Sequence, residues 1–395
     1  MPRTLTATFP VLCLILLLFG LGPRITGAQA PAEALHDQES GQDWSTVLHQ
    51  WIGSEQGLCD ATGGVLLVQA PSGQYLGAAG TAGISDQTPV LTGDRFEIGS
   101  NTKSFTVVLA LQLQEAGKLS MDDSLASWLP ELSMAIPDAE RITLRQLAGN
   151  ISGIPDYADP LMQPLVDSND QAGLARGWTP EQLVQLALNQ GGPQFKPGTD
   201  WAYSSTNFIL LGMVIEAASG EKLVDLYRQK IFQPLGMTSS YYAEQAPDPG
   251  NIVHGHYQVP GGDFADMTGW NASQGGAAGA IVSTAEDMAR YARGLMAGEL
   301  FQEPNSLHQM LTLREVGLEQ GGMLMSGYAL GLLEFRNAGV QLIGHAGQTP
   351  GFQTVWAAVP EQDTYIVFLT NSGTCPAGLL PATLTAQQLG LEPAG

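Results

Sequence analysis

The sequence predicts one α/β domain assembled from both ends of the chain, with a mainly helical part inserted between them. Three observations carry this reading: β-type runs stand near the start, helical patterns and Pro/Gly-rich loops fill the middle, and β-type runs return near the end. The α/β part takes in about residues 40–99 and 297–395, and the helical part about residues 100–296. With 395 residues, 44% of them hydrophobic and 14% charged, the chain can bury a large core. Its 48 Gly and 24 Pro fit a fold rich in turns, and not a coiled coil or a fibre. Thirty-eight acidic residues against 16 basic ones give a formal charge of −22, which repels phosphate backbones and anionic lipid, so no nucleic-acid partner is expected.

Residues 1–30 read as a secretory signal peptide. Arg3 is followed by an apolar run over residues 11–20, and Ala28 and Ala30 offer alternative cleavage sites. Cys13 follows Leu12 where a lipid-anchoring site needs a small residue, so a soluble, secreted or periplasmic protein spanning residues 31–395 is expected. Export leaves Cys59 and Cys375 as the mature cysteines, and an oxidising compartment favours one disulfide between them.

Along the mature chain, Trp44, Val47, Leu48, Trp51 and Ile52 recur at helical spacing within residues 42–56. Residues 64–70 and 75–79 flank Pro71-Ser72-Gly73 and predict a hairpin. A helix begins near Phe105 and is stopped by Gly117. Further helices are predicted over residues 180–189, 208–218 and 284–295. Strands follow over residues 328–335, 340–344, 352–359 and 364–370, and residues 376–389 read as a closing helix interrupted by Pro381.

Chemistry is suggested first by Ser100-Asn101-Thr102-Lys103. A serine at a helix start, with a lysine three residues on and on the same face, can attack a carbonyl while the amine takes its proton. Gly99 is expected to leave room for a substrate carbonyl. The pattern alone is weak, because it recurs at Ser219-Gly220-Glu221-Lys222, where Gly220 reads as the end of a helix and the reading is structural. Tyr203-Ser204-Ser205 lies on a loop ahead of a helix, and His345-Ala346-Gly347-Gln348 ends a strand along which a substrate could lie.

In this order the three segments resemble the motifs of penicillin-recognising serine hydrolases. The sequence is similar to the family of class C β-lactamases, D-alanyl-D-alanine carboxypeptidases and esterases, also called S12 serine hydrolases. The likeness extends through residues 151–157, 234–237, 275–291 and 345–352. It implies a β-lactamase/transpeptidase-like fold, an antiparallel sheet flanked by N- and C-terminal helices. Ser100 would be the acylated nucleophile, Lys103 its activating partner and Tyr203 the group that shuttles the proton, with the first base left open between Lys103 and Tyr203. The backbone N–H groups of Ser100 and Gln348 would form the oxyanion hole, and Ser205, His345, Ala346 and Gly347 would bind substrate. The family fold also sets the first strand beside the last, which would bring Cys59 to Cys375.

Two departures bear on substrate. Ser205 stands where many members carry Asn, and His345 where the lactamases carry Lys. Few fixed cations near residues 345–350 make an efficient β-lactamase the alternative, and an esterase, amidase or carboxypeptidase-like enzyme the expectation. The expected partner is a small-molecule or peptide substrate, met by a monomer without cofactor, metal or membrane anchor. Two readings of other classes compete: a non-catalytic penicillin- or peptide-binding module, and a metallohydrolase using His254, His256, Asp263 and Asp266.

Overall fold

A computed structural model describes residues 43–52, 59–85, 87–244, 250, 252–320, 323–337 and 340–380. The expected signal peptide therefore lies outside the described residues, as does most of the expected closing helix. At its described end, Ala377–Leu379 forms one 3₁₀ turn.

The sheet joins both ends of the chain. Its strands are β1 (Gly63–Ala70), β2 (Gly73–Gly80), β3 (Arg314–Gln320), β4 (Met323–Tyr328), β5 (Leu333–Asn337), β6 (Val340–Gln348), β7 (Gln353–Val359) and β8 (Thr364–Thr370), in the spatial order β2-β1-β8-β7-β6-β5-β4-β3 with antiparallel neighbours. The registers Leu66↔Phe368 and Leu67↔Val367 show how alternation divides the strands between two cores. Leu66, Val68, Val355, Ile366 and Phe368 face helix α1 (Trp44–Trp51), whose Trp51 ring meets Phe368 edge-on at 5.6 Å. Val65, Leu67, Trp356, Val367 and Leu369 face the helical part. There α2 (Thr102–Glu115) and α3 (Ser205–Ser219) are apolar nearly all round, as buried helices must be. Helix α4 (Ala285–Met296) lies against β1, β7 and β8.

The predicted strand over residues 328–335 is corrected: it is the end of β4, a turn and the start of β5, with Ala329 N–H donating to Leu332 O at 2.8 Å. The edge strand β3 has no counterpart in the sequence reading. Cys59 and Cys375 are joined by a disulfide with a Cα–Cα separation of 4.5 Å, at the end of the sheet where β1 begins and β8 ends. No helix among the described residues is long and apolar enough to cross a membrane.

Candidate active site

Ser100 does not cap α2. It sits in a 3₁₀ turn, Gly99–Asn101, that runs directly into the helix at Thr102. The turn is bolted to its surroundings. Asn101 Nδ2 donates to Ile98 O and to Thr354 Oγ1, each at 2.8 Å, and Ile98 N–H donates to Ile281 O at 3.0 Å. Gly99 has φ +51°, and a Cβ there would stand 2.6 Å from Gln348 N. The space beside Gly99 is thus filled by the backbone of β6, and the expectation of room for a substrate carbonyl is corrected. Gly347 has the same role, since a Cβ there would fall 1.9 Å from Ile98 O. Its lack of a side chain seats β6 on the nucleophile turn. Gln348 N–H lies beside that turn. Thr349 N–H bonds Phe352 O at 2.9 Å, so by alternation the neighbouring pair Gln348↔Gln353 turns its amides away from each other and leaves Gln348 N–H free to meet a ligand.

Lys103 is fully buried, with Nζ donating to Ser100 Oγ at 2.9 Å and to Ala278 O at 3.1 Å. Its amine also stands 4.9 Å from the centre of the Tyr203 ring and 5.4 Å from that of Phe208. Burial pushes the amine down from 10.5 to about 7, against the fields of Asp156 and Asp159. Burial moves the Tyr203 phenol the other way, well above its usual 10; contact with the Ser100 hydroxyl opposes this and the same two carboxylates add to it. An amine that is half deprotonated near pH 7, bonded to a serine hydroxyl at a helix start, can take that proton as the oxygen attacks.

His345 is buried, and its Nδ1–H donates to Ala346 O at 2.5 Å. Burial and the Lys103 charge hold the ring down at about 3, so it is neutral at pH 7, and Nε2 is a bare acceptor without a partner. The Ala346 carbonyl accepts the proton of this ring. Tyr203 and Tyr328 both stand 6.3 Å from the His345 ring. Ser205 opens α3, with its N–H on Asp156 Oδ1 at 2.9 Å, and its side chain is nearly buried.

Sequence reading passed over Asp156, Asp159, Tyr328 and Glu97. The first lies in the run 151–157 already singled out, but a loop carboxylate carries no pattern of its own. Glu97, just ahead of the turn, is pushed up to about 8 by burial, opposed by Thr349. At the decoy, Ser219 Oγ bonds Ile215 O at 2.7 Å, Gly220 takes φ +75° and Lys222 pairs with Glu216, all as a helix end requires. The proposed metal ligands diverge. His256 turns its Nε2 to Asp60 O at 3.3 Å, His254 reaches Asp266 at 3.6 Å, and no group of three metal-binding side chains stands together among the described residues.

Comparison with known proteins agrees with this geometry. Penicillin-binding protein 4* of Bacillus subtilis is 25% identical over 323 residues, 78% of this chain and 68% of the relative. A D-aminopeptidase of Cereibacter sphaeroides is 27% identical over 80% of this chain, which spans 57% of that relative. A D-stereospecific amidohydrolase from Streptomyces sp. superposes with a TM-score of 0.73 at 28% identity, covering 85% of this chain and 96% of that one. The profile of the Beta-lactamase family matches residues 53–388, a span that holds the sheet, the nucleophile turn and the end of β6 alike. The chain belongs to the beta-lactamase family, and is a serine hydrolase.

Proposed function

We propose that the chain hydrolyses amides or esters through an acyl-enzyme on Ser100, and that it acts on substrates whose leaving group is uncharged. The observation that carries this is the 2.9 Å bond between Ser100 Oγ and a buried Lys103 amine at about 7. Lys103 takes the first proton, because the Tyr203 phenol is held protonated well above pH 10 while the amine is poised near neutrality. Tyr203 then gives its proton to the leaving group as the proton taken from Ser100 is returned to it from Lys103, so that no phenolate remains and both groups end as they began. The N–H groups of Ser100 and Gln348 receive the oxyanion, each contributing roughly 3 kcal/mol. A neutral His345 that presents an acceptor gives no hold on a substrate carboxylate, which weighs against efficient β-lactam or D-alanyl-D-alanine turnover. The names of relatives that act on D-amino-acid derivatives support a D-amino-acyl substrate.

We also infer that the protein is exported, on the signal-peptide pattern of residues 1–30 and the Cys59–Cys375 bond. The mechanism is tested by treating the protein with a fluorophosphonate and weighing it intact. One adduct mapping to the Ser100 peptide is expected, together with a fall of at least about a thousandfold in p-nitrophenyl ester turnover for Ser100→Ala and no change for Ser219→Ala. An adduct elsewhere, or an active Ser100→Ala protein, sinks the mechanism.

A further inference from the structure

We propose that Asp156 is a specificity residue of this cleft, receiving the protonated amino group of the substrate's acyl part, so that the enzyme prefers unprotected amino-acid amides or esters. This rests on the Ser100 reading above. Asp156 lies on a loop clamped to the start of α3: Ser204 Oγ and Thr206 Oγ1 both donate to Pro155 O, at 3.1 and 2.7 Å, and Tyr157 N–H donates to Thr206 Oγ1 at 3.2 Å. The bonds that hold its side chain, from Ser205 N–H at 2.9 Å and Ala158 N–H at 3.2 Å, both fall on Oδ1. Oδ2 takes neither of these two bonds, although the Tyr157 N–H also acts on the carboxyl, and the residue is only half-buried.

The charge around it is unbalanced. Asp159, exposed three residues on, adds a second carboxyl, and burial raises both. Lys103 is the cation whose field reaches Asp156, and at about 7 it is neutral half of the time at pH 7. A partly buried carboxylate without a fixed counter-charge is costly, and an incoming ammonium supplies that charge.

A second observation points to the same ligand chemistry. His345 Nε2 is 1% exposed by residue, unpartnered, and a bare acceptor, because Nδ1 carries the proton donated to Ala346 O. An acceptor in that place calls for an N–H donor and repels a carboxylate. Asp156 through its field and His345 through its ring both act on Tyr203. A molecule with an ammonium at one end and an uncharged amide at the other, H₃N⁺–CHR–CO–NH₂, matches both: the ammonium meets Asp156, and the amide brings no carboxylate towards the neutral His345.

The test uses Asp156→Asn, which keeps Oδ1 as acceptor for Ser205 and Ala158 and removes only the charge. At pH 7, where the substrate's α-amino group is still largely protonated, the wild type should show kcat/KM for D-phenylalanine amide at least about tenfold above that for its N-acetyl derivative. Asp156→Asn should lower kcat/KM on the free amine about tenfold relative to both the N-acetyl amide and uncharged p-nitrophenyl acetate, which share whatever change the lost field makes at Lys103. Equal losses on all three substrates, or a wild type that favours the acetylated amide, would overturn the proposal. Calorimetric binding of the two amides to Ser100→Ala separates this from the acyl-enzyme reading, because it needs no turnover. Tighter binding of the free amine that Asp156→Asn abolishes upholds Asp156, and equal binding of both amides refutes it.

Discussion

Replacing Lys103 by Met should destroy activity and, at neutral pH, stabilise the fold. The side chain is fully buried, and its amine is driven from 10.5 in the unfolded chain to about 7 in the native one. At about 1.4 kcal/mol for each tenfold change in proton affinity, folding with this lysine costs ~4–5 kcal/mol at or below pH 7. The sign follows from proton binding. Below pH 7 both states hold the proton and the full cost applies; between pH 7 and 10.5 the unfolded chain binds a proton that the folded chain does not, so wild-type stability rises with pH; above 10.5 the cost has gone. Met fills similar volume but leaves Ala278 O without its 3.1 Å donor, which returns about 1–3 kcal/mol. Lys103→Met should therefore be more stable than wild type by about 2 kcal/mol at pH 7, equal to it near pH 9, and less stable above that. Denaturant titrations followed by tryptophan fluorescence from pH 6 to 10.5 read the difference; groups outside the field of Lys103 cancel in it, while Asp156, Asp159 and His345, which feel that field, add their own smaller shifts. A difference that does not change with pH would refute the lowered amine and, with it, the base assigned to Ser100.

Two further outcomes follow from the same geometry. On uncharged esters kcat/KM should rise with pH through about 7 as Lys103 loses its proton, with His345 at about 3 contributing nothing in this range; a rate that falls above pH 7 would mean that the cationic amine is the working form. Gly99→Ala should reduce kcat by about a hundredfold and destabilise by ~1–2 kcal/mol, because the new Cβ meets Gln348 N at 2.6 Å from a backbone with φ +51°; unchanged kcat would show that β6 does not need to touch the nucleophile turn.

What could be read in the sequence was local. The Ser100–Lys103 spacing, the hairpin around Pro71–Gly73 and the strand at residues 364–370 are each set by neighbours within a few residues, and the structure places them there. What escaped was set through space. Strand β3 runs Arg-Glu-Val-Gly-Leu-Glu-Gln and pairs with β4 alone, so it never needs the two-sided apolar pattern of β8. Gly99 and Gly347 looked like room for a ligand because a sequence does not reveal which backbone lies against them. The protonation state of His345 was not legible either, because its neutrality comes from burial and from Lys103, 242 positions earlier in the chain.

The same through-space logic ties recognition to catalysis. Asp156 and Asp159 raise the Lys103 amine and so oppose its role as a base in the empty cleft. An ammonium bound at Asp156 cancels part of that field and adds a positive charge of its own, and both changes lower the amine further. The substrate that compensates the buried carboxylate is thereby the one that frees Lys103 to deprotonate Ser100, whereas an anionic ligand would leave the lysine protonated and the serine unactivated. A cleft with two carboxylates, a neutral histidine and one buried lysine is in this way selective through its base as well as through its contacts.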